Sequence, residues 1–305
     1  MVYEFLHGLT CTAFRGWNTG CIIKKKINDA IMKYIFLLFV IFPFGLKSQE
    51  QSNLKEEIDK HQEGVGLWWT GHNGWIIKYN DLVISTDMLL DYDKRIKKPP
   101  ISENELAQIL DISFVTHSHK DHFARSVSKV LMEESDCIFV IPESCLDIAK
   151  ELNIPADRIK LAVPREKFQI SGVNVTPIRA IHGNADFAIY YKANLEDCGY
   201  LIEINGKRFL QPGDSFLLED HLFLKNIDVL FFSPTEHNMH IKNSLTLINR
   251  LKPKYILPQH HSTVEVNSKT FFWAKGYQKE VKEKLSEKLK KRYYILKEGD
   301  KLLIM

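Results

Sequence analysis

Residues 113–123 read SFVTHSHKDHF, a hydrophobic run that ends directly in His117, His119, Asp121 and His122. Three imidazoles and one carboxylate fall within six positions. Neutral imidazole nitrogens and carboxylate oxygens are the common ligands of zinc and related divalent cations. In a strand that opens into a loop, His117 and His119 project to the same side by the two-residue alternation of extended chain. Asp121 and His122 lie past the strand end, where the chain can turn them toward a second cation. A single histidine is more often a plain surface or core residue. A dense motif at the end of a buried strand is what gives the metal reading its force. It also restricts the fold to one that carries strand ends, and the loops behind them, to a common edge.

The bulk composition sets few other bounds. The chain has 305 residues, 45% hydrophobic and 26% charged, with 12 histidines and a formal net charge of +3. That charge is too small to argue for a nucleic-acid partner. Near the N-terminus Lys33 precedes an apolar run at 34–44. The run is shorter than the roughly 20 residues a bilayer span needs, but it suits the core of a signal peptide. Small residues then precede Gln49. The chain is therefore read as an upstream extension at 1–31, a signal peptide at 32–48, a linker with a short helix at 49–64, and one domain at 65–305. Cleavage implies a periplasmic or secreted protein with no stable membrane span; the alternative is an N-terminal anchor that stays attached. After cleavage Cys137, Cys145 and Cys198 remain, so at most one disulfide forms within the chain. No C-x-x-C pair exists, which excludes a zinc ribbon.

Short β-rich runs at 66–69, 74–79 and 82–86 are separated by Gly, Asn and Asp, as in hairpins. A helix is predicted at 102–110, with Ser102 as cap and acids in its first turn. A strand at 112–116 runs into the histidines. Helices at 126–134 and 142–152 alternate with a strand at 137–141. Strands follow at 167–170, 173–180, 200–204 and 207–211, the last two joined by Asn205-Gly206, a strong two-residue turn. A helix is predicted at 216–224, then strands at 229–233 and 255–257 around a helix at 241–251. One long Lys/Glu-rich helix at 268–291 and two short strands complete the pattern. Strands in two batches, each mixed with helices, predict an α/β fold: a sheet-on-sheet sandwich with helices on both outer faces.

The segment 116–122 resembles the signature of the metallo-β-lactamase superfamily, and the likeness extends from Val65 to about Ser262. Asp87, in VISTD, resembles the acid that braces the metal-binding loop. His182, in RAIHGN, Asp214, in QPGDS, and His260, in ILPQHH, resemble the later ligands, in order and each after a strand. The resemblance implies the four-layer αββα sandwich of that family. It also implies two divalent metal ions, Zn²⁺ first and Mn²⁺ or Fe²⁺ as alternatives. His117, His119 and His182 would hold one ion; Asp121, His122 and His260 would hold the other, with Asp214 between them. His261 is the alternative to His260, with the P-x-H setting favouring His260.

Such a site implies a hydrolase in which a di-metal-bridged hydroxide attacks an ester, lactone or phosphodiester bond of a small-molecule substrate, with Asp121 orienting the nucleophile and relaying its proton. His72, in TGHNGW, and His240 and His237, in TEHNMH, lie in loops that either face the same cleft or are simply exposed; His72 and His240 are the preferred catalytic candidates. The segments GHNGWIIKYNDLVISTD, GYLIEINGKRFLQPGDS and PQHH resemble the ascorbate-6-phosphate lactonase-like branch. Asp214 argues against β-lactam hydrolysis, since the true β-lactamases commonly lack that acid. β-Lactam hydrolysis and a non-hydrolytic metal-binding or redox protein of the same fold are the alternatives.

Overall fold

In a computed structural model that describes residues 54–184, 186, 189–190 and 193–305, strand β1 (Val65–Gly71) is buried along its whole length. Its side chains alternate between two cores. Leu67 and Trp69 pack into one, Trp68 into another. A strand buried on both faces reads as a continuous apolar run, because helices or a second sheet cover each side.

The first sheet pairs β1 with β2 (Gly74–Tyr79), β3 (Leu82–Thr86), β4 (Ile112–Phe114), β5 (Ile138–Pro142), β6 (Ile159–Ala162) and the C-terminal β13 (Lys301–Ile304). Its spatial order is β13-β1-β2-β3-β4-β5-β6. The second sheet runs β12-β11-β10-β9-β8-β7, built from β7 (Phe168–Ile170), β8 (Val173–Arg179), β9 (Cys198–Ile204), β10 (Lys207–Gln211), β11 (Val229–Phe232) and β12 (Tyr255–Pro258).

The two sheets meet over a central core that includes Leu67, Trp75, Phe114, Tyr200, Phe209 and Phe231. The other face of the first sheet packs Trp68, Ile76 and Phe139 against α1 (Leu54–Asp59), α2 (Glu103–Ala107), α3 (Arg125–Glu134) and α4 (Leu146–Glu151). The other face of the second sheet packs Leu210, Leu230 and Phe232 against α6 (His240–Leu251), α8 (Gln278–Glu283) and α9 (Glu287–Lys290). The expected α/β sandwich of four layers, αββα, is the fold observed.

Local signals explain several elements. Ser102 caps α2 in a reciprocal capping box with Glu105, as its sequence predicts. Asn205 and Gly206 both take positive φ, 47° and 68°, and Ile204 pairs with Lys207 across the turn. That is the twist a two-residue hairpin requires.

Other expectations need correction. The predicted helix at 268–291 is three short pieces, α7 (Phe271–Ala274), α8 and α9. Lys275 is extended (φ −77°, ψ 106°) ahead of Gly276, and Ser286 is extended ahead of α9. Amphipathic Lys/Glu patterning sets a solvent face but does not register such breaks. The predicted helix at 216–224 shrinks to α5 (Glu219–Leu222), the single strand β13 stands where two were expected, and β6 was missed. The short helix expected within 49–64 is α1, which contributes Leu54 and Ile58 to the core, and Lys78 Nζ donates to the Ile58 and Asp59 carbonyls. Cys137, Cys145 and Cys198 are buried and unpaired. No helix among the described residues is long and apolar enough to cross a membrane. The expected extension (1–31) and signal peptide (32–48) lie outside the described residues.

Strand direction decides where chemistry can gather. β3 and β4 are parallel, as are β10, β11 and β12. β1 relates to β3, and β8 to β10, through two antiparallel steps each, so they too run the same way. The loops that follow these strands therefore emerge at a common edge of their sheet, where open α/β sheets characteristically place their sites.

Candidate metal centre

Each histidine and acid singled out above, His240 and His261 excepted, sits just beyond the carboxyl end of one of these strands. His72 occupies the β1–β2 turn, Asp87 follows β3, and His117, His119, Asp121 and His122 follow β4. His182 follows β8, Asp214 follows β10, and His260 follows β12. The backbone is bent hard to aim them: His72, Asp87 and His260 have φ of 51°, 41° and 60°. Non-glycine residues held in the left-handed region cost energy and gather at functional sites. Gly213 (φ 63°) brings the β10 loop against the histidine loop, because a Cβ there would lie 2.8 Å from Thr116 Cβ. No side chain fits that approach.

Asp214 is the hub. Its Oδ2 lies 3.0 Å from His237 Nε2, 3.1 Å from His260 Nε2, 3.4 Å from His122 Nε2 and 3.6 Å from His182 Nε2. Asn73 Nδ2 donates to its other oxygen at 3.0 Å. A second gathering surrounds Asp121, whose Oδ2 is 3.1 Å from His72 Nε2, 3.9 Å from His122 Nε2 and 4.0 Å from His260 Nε2. Ligand atoms of His72, Asp121, His122 and His260 all lie within 4.8 Å of one another, and so do those of His117, His119 and His182. The groups His117, His122, Asp214 and His182, Asp214, His237 meet the same distance.

Beneath the rings, Asp87 accepts from the Thr116 backbone N–H and hydroxyl, both at 2.8 Å, and faces His122 Nδ1 at 3.0 Å. The Thr116 hydroxyl oxygen is in turn 3.0 Å from His117 Nδ1. These acceptors assign the proton of His117 and His122 to Nδ1 and turn the Nε2 lone pairs into the site, which is how such support selects a ligand's tautomer. Both Nε2 atoms are buried and find no hydrogen-bond partner of good geometry among the described residues. Buried polar atoms are rarely left so, and a cation would satisfy both. An amide pair, Gln211 and Gln259, joins the sheets below, bonded to each other, to Trp75 Nε1 and to Thr86.

The electrostatics agree with the geometry. Burial, reinforced by the neighbouring His260, pushes His72 down to about 3. Burial also pushes His182 down to about 3 and lowers His117 well below the usual range. His122 is the exception: burial opposes its charge, but the Asp214 and Asp87 carboxylates outweigh burial and raise it well above the ordinary value. Burial likewise opposes charge on Asp214, yet His260 and His122 hold it well below the carboxylate range. The pocket thus combines neutral imidazoles with carboxylates that demand positive charge. That combination fits divalent cations, which replace the proton that His122 otherwise carries.

His260, not His261, enters the site. The His261 ring packs on Trp69 at 4.7 Å, and its Nε2 is 3.2 Å from the Pro258 carbonyl. His240 needs correction: it opens α6, its ring packs against Tyr277 at 4.5 Å, and it does not line the cavity over the metal-site residues. His237, three residues earlier, lines that cavity instead, with Nδ1 3.1 Å from the Thr235 hydroxyl. The helix begins at residue 240, so His237 is left on the loop that faces the site. Asn73, Gln211 and Gln259 carry no signal in a single sequence, since amides are common in loops and strand ends alike.

A family model described as β-lactamase superfamily domain matches residues 66–260. A "UPF0173 metal-dependent hydrolase" of Carboxydothermus hydrogenoformans is 26% identical over 65% of this chain and 84% of its own length. Another, from Methanosarcina barkeri, is 22% identical over 78% of this chain and 98% of its own. Among solved structures, a metallo hydrolase from the archaeon Ignicoccus hospitalis superposes with a TM-score of 0.61 at 16% identity, covering 79% of this chain and 98% of its own.

Proposed function

The chain belongs to the β-lactamase superfamily, and from that membership we propose that it is a metal-dependent hydrolase holding two divalent cations. The carrying observation is that two ligand groups, one with His117, His119 and His182 and one with Asp121, His122 and His260, flank Asp214. Asp214 would be the ligand they share. The nitrogen-rich donor set favours Zn²⁺ over Mn²⁺ or Fe²⁺. Cations held there would supply Lewis acidity and a water of lowered pKa as the nucleophile.

The protein's own groups do the rest. His72, neutral by burial, donates from Nε2 to Asp121 Oδ2 and fixes the carboxylate that orients the attacking water and takes its proton. His237 accepts from Thr235 at Nδ1, donates from Nε2 to Asp214, and lines the cavity. Its single proton is committed to that carboxylate, so it is the group that holds Asp214 in place from the cavity side. The bond cleaved is proposed to be an ester, lactone or phosphodiester. The signal read at 32–48 makes the proposed setting periplasmic or extracellular.

The test is a hydrolysis screen of the metal-loaded protein on lactones, phosphodiesters and β-lactams. The expected result is turnover of one of the first two classes, lost on chelation and restored by Zn²⁺ or Mn²⁺. A protein that retains no metal and hydrolyses none of them overturns the reading. Two substitutions probe the roles. His237→Ala is expected to lower kcat about 10- to 100-fold, as Asp214 loses a hydrogen bond to its charge, whereas His240→Ala leaves kcat near wild type. Asp87→Ala removes the support of His122 and Thr116 and is expected to weaken cation affinity about 10- to 100-fold, read by competition with a chromogenic chelator.

A further inference from the structure

The cavity above the metal-site residues has a volume of about 400 Å³, near the small end for pockets that enclose organic ligands. Its walls are aromatic: Tyr92, Tyr190, Phe272 and Trp273. Two cations stand among them, Lys94 and Lys120. Neither pairs with a carboxylate among the described residues. Each lies instead near a ring, Lys94 Nζ 5.8 Å from the Trp273 centroid and Lys120 Nζ 5.6 Å from that of Tyr92. The acids that line the same cavity, Asp121 and Asp214, are engaged by His72, His237 and His260. The charge left to meet a ligand at the mouth is therefore positive.

Tyr190 is the second observation. Its ring stacks on His237 at 6.3 Å with a 13° tilt and lies 5.3 Å from His182 and 5.9 Å from Phe272. It thus spans the aromatic wall and the metal-site rings. Its hydroxyl is buried with no hydrogen-bond partner among the described residues. A buried hydroxyl left unpaired is costly, and in a ligand cavity the natural partner is a substrate oxygen.

We propose that the substrate is a small organic anion whose carboxylate or phosphate group is held by Lys94 and Lys120, whose apolar body lies against Phe272 and Trp273, and whose reacting oxygen accepts from Tyr190. The proposal rests on the metallohydrolase reading and narrows it to substrates that carry an anionic group beside an apolar body. Selectivity of this kind follows from a cation at the rim and an unpaired donor in the interior.

The experiment is calorimetric binding to the full chain, after its metal content has been measured. The probes are phenyl phosphate and phenylacetate, with benzyl alcohol as the neutral comparison. The wild type is expected to bind at least one anion and not the alcohol, and the tighter anion identifies the group. The Lys94→Ala/Lys120→Ala variant is expected to lose about tenfold to a hundredfold in affinity, as for charged hydrogen bonds, with metal content unchanged. Tyr190→Phe is expected to bind several-fold more weakly, in line with one neutral hydrogen bond. Equal anion affinity in wild type and the double-lysine variant overturns the proposal, because the metals alone would then hold the anion. So does binding of neither anion. Failure of the parent reading is separately visible as absence of metal; lysine-dependent anion binding without metal would leave the anion site standing alone.

Discussion

Asp214→Ala is expected to reduce bound metal to one equivalent or less and hydrolysis by about 1,000-fold or more. The size follows from the proposed role of Asp214 as the carboxylate shared by two cations: Lewis-acid stabilisation is worth several kcal/mol, and each 1.36 kcal/mol is tenfold in rate. The geometry makes Asp214 the least replaceable member. Four imidazoles converge on its Oδ2 between 3.0 and 3.6 Å. Without it the rings face one another with no anion to share, and the two ligand groups lose their common member. The fold is expected to survive, because Asp214 lies in a loop after β10 and outside the three apolar cores. The check is metal analysis and activity on variant protein whose circular dichroism matches wild type. Wild-type turnover at full metal content would remove Asp214 from the mechanism.

His260→Ala and His261→Ala are expected to separate cleanly although the residues are adjacent. His260 Nε2 is 3.1 Å from Asp214, and its ring is 3.8 Å from that of His72. Its loss opens the second ligand group and is expected to cost about 1,000-fold in activity, again several kcal/mol of metal stabilisation. His261 is also buried but faces away, packed on Trp69 and neutral at ordinary pH because burial pushes it down to about 4. Its replacement leaves a cavity beside a core tryptophan. The expected result is a loss of about 1–3 kcal/mol of stability, typical of a truncated buried side chain, with wild-type metal content. Metal analysis alongside denaturant melts reads both outcomes in one series. Loss of metal from both variants alike would contradict the assignment.

Much of this site was legible before any coordinates, for a physical reason. Residues of metal-ligating type at strand ends leave short local signatures, as in THSHKDH, and parallel strands carry those ends to one edge. His182 and Asp214 were found the same way, each a few residues past a β-rich run. His237, not His240, lines the cavity, and local sequence does not distinguish them. The two are three residues apart in TEHNMH, and only the start of α6 at residue 240 decides which ring faces the cavity. Nothing in the residue types sets that start, since no side chain caps the helix. Asn73, Gln211 and Gln259 escaped for a related reason: Asn73 reaches Asp214 and the two glutamines reach each other, each more than 45 positions away, and a lone amide does not announce a distant acceptor. The order of strands in each sheet and the breaks between α7, α8 and α9 are likewise set by tertiary packing rather than by local propensity.

The most direct test of the central claim is anomalous X-ray scattering from crystals of the protein grown with Zn²⁺. Two peaks roughly 3.5–4 Å apart are predicted, one on the nitrogens of His117, His119 and His182, the other beside Asp121, His122 and His260, with Asp214 touching both. A single peak elsewhere, or an anomalous map with no density among these rings in zinc-saturated crystals, would contradict it.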